Sequence, residues 1–134
     1  NDILFSEIRP ANGRWAYIHF DAEDYVVSTK LMVLRSKGFL SQAFVYFFLT
    51  NSQTIDWLQL LAESRSGTFP QITFDQLKDL KINIPSKSIL SNSIEWCESA
   101  LKKINSNLTQ IRTLETLRDT LLPKLMSGEV RVAV

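Results

Sequence analysis

The fold is decided by residues 85–134, which read PSKSILSNSIEWCESALKKINSNLTQIRTLETLRDTLLPKLMSGEVRVAV. Apolar side chains recur along this stretch with the period of a long amphipathic helix. From Ile94 to Ile111 they are spaced by steps of 3, 4, 3, 4 and 3 residues, the a/d spacing of a heptad. This pattern predicts a helix that pairs with another helix. The predicted pairing positions are Ile94, Cys97, Leu101, Ile104, Leu108 and Ile111.

The ends of the predicted helix are marked by residues that start and stop helices. Ser86 or Ser88 can cap the free amides of the first turn, and Pro123 followed by Gly128 predicts the end, before a short extended tail. If residues 87–122 are all helical, their rise gives a length of roughly 50 Å. A narrow apolar seam of that length favours a partner helix. The alternative is a single amphipathic helix that packs on its own domain.

The seam changes phase near Ile111. A strict heptad beyond that residue would place Glu115 and Arg118 on the seam, where charges are unfavourable. Instead of following that heptad, the apolar stripe continues through Leu114, Leu117 and Leu121. This break predicts a stammer, with one section of the helix facing a partner helix and a second section turned toward a different surface.

Composition limits the classes of function. The chain has 134 residues, is 45% hydrophobic and carries a net charge of +1, so it can bury a core but has no global field that attracts nucleic acid or membrane. Its single cysteine, Cys97, builds neither a disulfide framework nor a thiolate metal site. Because no apolar run approaches the length of a membrane span and no leader pattern is present, we expect a cytoplasmic protein without membrane partners.

The sequence before the long helix predicts a mixed α+β head, and an Asn12-Gly13 turn separates its first two strands. The predicted strands are residues 3–5, 15–20, 25–28, 31–35 and 81–84. The predicted helices are residues 39–49, 52–62 and 73–80. The second has Ile55, Leu58, Leu61 and Ala62 on one face. A capping-box pattern, Thr73 followed three residues later by Gln76, predicts the start of the third. The aromatic residues of the first of these helices predict core packing, with a base-stacking platform as the alternative. We therefore expect an α+β chain with a small head at residues 1–85 and a long coiled-coil-forming helix with a short tail at residues 86–134.

Motifs that carry catalysis are missing from the sequence. The four glycines are scattered rather than gathered in a phosphate or cofactor loop, and the lone histidine, His19, has no second metal ligand nearby. Cys97 has no histidine base, and the acidic turn at residues 21–24 alone is weak evidence for a cation site. We expect a non-enzyme with no catalytic residues, no cofactor and no metal.

Two polar loops have residue types that suit DNA. Residues 6–14 contain Arg9, Asn12 and Arg14, and residues 65–71 contain an arginine, a glycine and a glutamine. Arginine can fork onto guanine, asparagine and glutamine can pair with adenine, and amides near glycine can reach phosphates. The alternative interpretation is a pair of ordinary polar turns.

Four segments resemble, in order, the specificity subunits of type I restriction–modification systems. Three of them are DILFSEIRP at residues 2–10, GTFPQI at residues 67–72 and LKDLKINIP at residues 77–85. The fourth is LRDTLLPKLMSGE at residues 117–129. Each segment alone is modest, but four in register are specific, and the resemblance covers nearly the whole chain.

The resemblance implies a DNA target-recognition domain followed by a long helix, in a subunit that does no chemistry itself. A typical subunit has two such domains, whose helices pair antiparallel as a ruler between two half-sites on double-stranded DNA. It recruits methyltransferase subunits and, for cleavage, a motor-nuclease subunit. Because a family member usually carries further residues before the first strand and a second domain, we expect a C-terminal fragment or truncated product. A second specificity half or a homodimer would then supply the other helix.

Within this family reading, the DNA-contacting candidates come from the polar loops and from the start of a predicted strand. They are Arg9, Asn12, Arg14, Lys30, Arg65, Ser66, Thr68 and Gln71. The main hypothesis is a non-catalytic module that recognises one DNA sequence of a bipartite target. The alternatives are an assembly module that acts only through its helix, and the recognition domain of a fused restriction–methylation enzyme.

Overall fold

A computed structural model describes residues 1–131, and its elements confirm the α+β prediction. The strands are β1 (Ile3–Ser6), β2 (Trp15–Tyr17) and β3 (Leu31–Leu34). The helices are α1 (Gln42–Thr50), α2 (Ser52–Arg65), α3 (Phe74–Lys78) and α4 (Lys87–Ser127), with a single 3-10 turn at Pro10–Asn12. The chain divides into two units, Asn1–Glu98 and Ser99–Val134.

The sheet of the first unit has β1 at its centre. The strand order is β2-β1-β3, and both neighbours run antiparallel to β1, with Ile3 opposite Tyr17 on one side and Leu34 on the other. Side chains alternate along β1, so Ile3 and Phe5 are fully buried while Leu4 lies on the opposite face and is only partly covered. The sheet therefore buries one face against the helices.

Two capped helices cover the buried face. Ser41 caps α1, since its hydroxyl oxygen accepts from the Phe44 amide at 3.2 Å, and Asn51 caps α2 through the Thr54 amide at 2.9 Å. The predicted apolar face of α2 is confirmed, because Ile55, Leu58 and Ala62 are buried. The buried core cluster consists of Phe5, Met32, Leu49, Ile55, Leu58, Ala62 and Ile72.

Two predicted strands are absent from the described residues. Residues 25–28 and 81–84 have no strand geometry, and Tyr25, Val26 and Ile84 are exposed. Residues 25–28 have the β-branched and aromatic composition of a strand, and residues 81–84 contain two isoleucines, but neither segment forms a hydrogen-bond ladder with a strand. Composition therefore predicted a strand where the fold offers no partner.

The short helix and the loop before it also differ in part from prediction. α3 begins after Thr73 as the Thr-x-x-Gln pattern predicted, and the Gln76 side-chain oxygen accepts from the Thr73 amide at 2.8 Å. α2 extends to Arg65, three residues beyond its predicted end at residue 62. The predicted polar loop therefore starts at the last residue of a helix.

The long helix is confirmed, but its predicted end at Pro123 is wrong. α4 has 41 residues, a length of about 60 Å, and it includes Pro123 in its last turns. Pro123 removes one backbone hydrogen bond, the one to the Asp119 carbonyl. As at every helix end, the carbonyls of the final turn need other donors, and Gly128, at φ 76°, donates its amide to the Leu125 carbonyl at 3.2 Å. Residues 132–134 of the predicted tail lie outside the described residues.

The predicted pairing positions differ in exposure along α4. Ile94 is half-buried and Cys97 and Leu101 are buried, whereas Ile104, Leu108 and Ile111 are exposed. Farther along, the apolar stripe stays open to solvent at Leu114, Leu117, Leu121, Leu122 and Leu125. None of the helices in residues 1–131 combines the length and apolar character needed to cross a membrane.

Candidate nucleic-acid interface

The structure brings the two predicted DNA loops together. The Glu7 carbonyl accepts from the Ile72 amide at 2.8 Å, the Pro70 carbonyl accepts from the Arg9 amide at 3.1 Å, and Ile8 forms an antiparallel bridge with Gln71. These contacts join the segment after β1 to the segment after α2. We call residues 7–14 and 65–71 the paired loops. They form one surface although they lie far apart in the sequence.

Arg9 lies in the first of the paired loops and contacts the second. Its side-chain Nη2 donates to the Thr68 carbonyl at 3.4 Å, and its backbone φ is 45°, the left-handed region that a residue with a Cβ rarely adopts. The strain is held by the Pro70 hydrogen bond on one side and by the 3-10 turn that begins at Pro10 on the other. Arg9 is exposed, so the rest of its guanidinium faces solvent.

Asn12 and Arg14 lie on the same loop as Arg9, and both are exposed. The turn between them needs Gly13, which has φ 67° and donates its amide to the Pro10 carbonyl at 3.1 Å. The predicted turn at Asn12-Gly13 is therefore confirmed. The Arg14 carbonyl accepts from the Ser6 amide at 3.0 Å, which fixes the end of the loop to the sheet.

Lys30 approaches the paired loops from the residue before β3. Its carbonyl accepts from the Glu7 amide at 3.0 Å, and its ammonium lies 3.6 Å from the Glu7 carboxylate. This ion pair is partly exposed, so its contribution to stability is small. Lys30 is thus brought to the site, but with part of its charge compensated by a neighbouring acid.

The second loop contributes Arg65, Ser66, Thr68 and Gln71. Arg65 ends α2, is exposed, and places its Nη1 3.5 Å from the Gln76 side-chain oxygen, while the Ser66 hydroxyl accepts from the Phe69 amide at 3.1 Å. Thr68 is exposed and offers its carbonyl to Arg9. The Gln71 side-chain oxygen is buried, with no hydrogen-bond partner among the residues that the structure describes.

Sequence reasoning missed three residues of this surface. Glu7 brings a carboxylate among the cations, and Phe69 places an exposed ring between Thr68 and the buried Pro70. Gln59 of α2 supports the first loop, since its side-chain oxygen accepts from the Ala11 amide at 3.1 Å. Glu7 and Phe69 stand inside the motifs DILFSEIRP and GTFPQI, but Gln59 sits in a helix with no local signal for this contact.

The chemistry of the surface suits binding rather than reaction. Guanidinium, amide and hydroxyl groups converge there, and these groups contact phosphates and base edges. In residues 1–131 no group of three or more His, Cys, Asp or Glu side chains is placed to hold a metal ion. Burial, with a further effect of the nearby Glu98 charge, raises the pKa of the Cys97 thiol, which makes it a poor nucleophile.

The chain is also similar to known proteins. The model of the type I restriction modification DNA specificity domain family matches residues 1–117. The chain belongs to this family. The family resemblance read from the four sequence motifs is thereby confirmed.

Two relatives are type I restriction enzyme specificity subunits. The chain is 40% identical over 121 residues to the type I restriction enzyme HindI specificity subunit of Haemophilus influenzae, a match that covers 90% of this chain and 26% of that protein. It is 32% identical over 74 residues to the type I restriction enzyme MjaIX specificity subunit of Methanocaldococcus jannaschii, covering 55% of this chain and 17% of that protein. The chain thus spans about a quarter or less of the length of these relatives. No solved structure matches the chain.

Proposed function

We propose that this chain is a DNA sequence-recognition module of a type I restriction–modification complex. In this proposal residues 1–85 form part of a target-recognition domain and residues 86–134 form a spacer and pairing helix. The module does no chemistry. It selects a DNA sequence, and methyltransferase and motor-nuclease subunits act where it has bound.

The observation that carries the proposal is the pairing of two polar loops across one surface. Arg9, Arg14 and Arg65 are exposed there, and the hydrogen bond from the Arg9 amide to the Pro70 carbonyl fixes the backbone at Arg9 before any DNA arrives. A pre-ordered set of donors loses less conformational entropy on binding than a mobile one. Membership of a DNA specificity family supports DNA as the ligand of this surface.

Within the surface, the candidate residues divide by the contacts their side chains can make. Arg9, Arg14 and Lys30 supply positive charge that can neutralise phosphates and fix the position of the duplex. Asn12 and Arg65 have the planar, multidentate groups that read adenine and guanine edges in the major groove. Ser66, Thr68 and Gln71 order the second loop, and the exposed Thr68 hydroxyl can also donate to a phosphate.

The test is to co-express the chain with its cognate methyltransferase subunit in a host that lacks methylation, and to map methylated bases across the host DNA. Methylation at one bipartite, palindromic motif is expected, because two copies paired through α4 would present two identical half-sites. The variants Arg9→Ala and Arg65→Ala should lower the methylated fraction. Lys78→Ala, which removes a cation from α3, is the matched control and should leave the methylated fraction unchanged.

Two results would refute DNA recognition by this module. One is a co-purified complex that leaves the host DNA unmethylated and does not shift DNA at low salt. The other is a methylation pattern that is the same with and without the arginine side chains.

A second candidate function rests on a different observation, the exposed apolar stripe of α4. Here the chain acts only in assembly, and its head does not read DNA. Sedimentation of the isolated chain tests the stripe, which predicts a dimer or a larger species. A monomer at tens of micromolar would count against self-pairing and would favour a second specificity half as the partner of the helix.

A further inference from the structure

Phe69 is an apolar ring that the fold holds in place but does not bury. Its side chain is 49% exposed, although Pro70 and Ile72, which follow it closely, are buried. The Phe69 amide donates to the Ser66 hydroxyl at 3.1 Å, and the carbonyls on both sides of it, those of Thr68 and Pro70, accept from Arg9. The backbone under the ring is therefore fixed on both sides.

Two arginines belong to the same paired loops as Phe69. Arg9 donates to the Thr68 carbonyl, and Arg65, four residues before Phe69, ends the helix that leads into its loop. Among residues 1–131 neither guanidinium forms an ion pair with a carboxylate within 4.0 Å. An exposed ring on the same loops as arginines without a carboxylate partner suits a ligand that combines negative charges on its outside with apolar faces inside. Duplex DNA has that combination of phosphates outside and stacked bases within.

We propose that Phe69 is an apolar wedge that inserts against a base step of the bound DNA while Arg9 and Arg65 hold phosphates nearby. This inference rests on the proposed function and adds a contact that reads deformability rather than base edges. Proteins that kink DNA use phenylalanine in this way, and the cost of unstacking is lowest at pyrimidine–purine steps. The target is therefore expected to contain a TA or CA/TG step under the ring.

The test uses the assembled complex of the chain with its methyltransferase subunit and a plasmid that carries the methylation sites mapped as above. Potassium permanganate oxidises unstacked thymines, and every TA or CA/TG step contains a thymine. The methyltransferase flips its target base and can itself expose a thymine paired with that base, so that thymine is not counted. At another base pair, within a TA or CA/TG step, wild-type complex is expected to make one thymine per half-site hyper-reactive. Phe69→Ala should abolish that reactivity and weaken binding about tenfold, the usual loss for one ring–base contact. Phe69→Leu, which keeps an apolar wedge, should retain part of both.

Phe20→Ala is the matched control, because Phe20 is also a 49% exposed phenylalanine. It follows β2, whose Tyr17 lies opposite Ile3, so it sits at the end of the sheet away from the segment that follows Ser6. Its ring packs on that of Tyr25, with 5.6 Å between the ring centroids. Its removal should change neither thymine reactivity nor affinity.

Each other outcome overturns a stated claim. Tight wild-type binding without a reactive thymine overturns the wedge and leaves DNA recognition standing, as does reactivity that persists in Phe69→Ala. Loss of affinity in Phe69→Ala without any wild-type reactivity shows a surface contact, such as one with a thymine methyl group, and also overturns the wedge. A wild-type complex that binds none of the mapped sites overturns the proposed function and this inference with it.

Discussion

At the scale of single residues, Arg9 combines backbone strain with a functional side chain. Its φ of 45° costs about 1 kcal/mol or more for a residue with a Cβ and almost nothing for glycine. The free energy of unfolding of Arg9→Gly should therefore exceed that of Arg9→Ala by about 1 kcal/mol, so the glycine variant unfolds at a higher urea concentration. Both variants should lose affinity for DNA. Urea denaturation and fluorescence anisotropy with a labelled duplex measure the two effects. An alanine variant as stable as the glycine variant would show that the strain is negligible.

Glu7 is the acid among the cations of the paired loops. Its side chain is 26% exposed and lies 3.6 Å from the Lys30 ammonium, so the pair contributes at most about 1 kcal/mol to stability. Glu7→Gln removes a charge that repels phosphate and frees Lys30 to make a phosphate contact. We expect tighter binding to a random duplex and a slope of log K against log salt that is steeper by about 0.9.

The control for Glu7 is Asp75→Asn, which breaks a different exposed ion pair, the one with Lys78 on α3. It should change neither the affinity for a random duplex nor the salt slope. An equal gain in both variants would mean that net charge, and not the position of Glu7, governs binding.

Sequence alone could name many of the polar residues of the site but not how they combine. Arg9, Asn12 and Arg65 stood out because their types suit DNA in loops that contain glycine. The contact of Arg9 with Thr68 joins residues 59 positions apart, and no local pattern encodes such a distance. Glu7 and Phe69 were missed for the same reason, since their meaning depends on neighbours that only the folded loops supply.

At the scale of elements, the outer ends of β1 and β3 are tied by Asp2 and Arg35. The guanidinium donates from Nε and Nη2 to the two carboxylate oxygens at 2.5 and 2.6 Å. These hydrogen bonds, with the charge of Arg35, hold the pKa of Asp2 below its usual value. A lowered folded pKa means that the stabilisation is fully present above the unfolded pKa of about 3.9 and is lost as pH falls through the lower folded pKa.

Asp2→Asn should therefore destabilise the head more at pH 7 than at pH 3. Because Arg35 is 73% exposed, the loss at pH 7 should stay under about 1 kcal/mol. Urea denaturation at the two pH values measures it. A loss of the same size at both values would attribute the effect to packing rather than to the ion pair.

The C-terminal turns of α4 contain two residues with opposite effects on the helix. Pro123 cannot donate to the Asp119 carbonyl, so Pro123→Ala should restore a hydrogen bond and strengthen this end. Gly128 is at φ 76°, so Gly128→Ala should introduce strain of about 1 kcal/mol and fray the last turn. Amide hydrogen exchange of residues 120–127 should slow in the first variant and speed up in the second. A decrease in protection on replacing Pro123 would refute this account.

Elements were predictable where the local pattern is strong and uncertain where they depend on partners. The heptad spacing identified α4, and the Thr73–Gln76 pattern identified the start of α3. The sequence of residues 25–28 and 81–84 predicts strands, but strand formation needs a neighbouring ladder that the sequence does not reveal. The end of α4 was wrongly predicted at Pro123, because a proline near the end of a helix removes one backbone hydrogen bond without preventing one further turn.

At the scale of the whole molecule, the two units have surfaces of opposite character. Asn1–Glu98 carries the polar paired loops, and Ser99–Val134 carries an apolar stripe on an otherwise charged helix. A polar cationic surface suits DNA, whereas a narrow apolar stripe at heptad spacing suits another helix. This division is what a recognition module needs, because reading a sequence and joining a complex then place no conflicting demands on one surface.

The pairing role of α4 can be tested by placing a charge on and off its stripe. Leu108→Asp puts a carboxylate at an a position, where pairing would bury it without a partner, so self-association should weaken by at least tenfold. Ser106→Asp adds the same charge at the f position of the preceding heptad, which points away from the stripe. It should associate like wild type. Sedimentation velocity at several concentrations measures both, and circular dichroism checks that both helices form. Equal association of the two variants would exclude the stripe as the pairing surface, and a dimer would then have to form through another part of the chain.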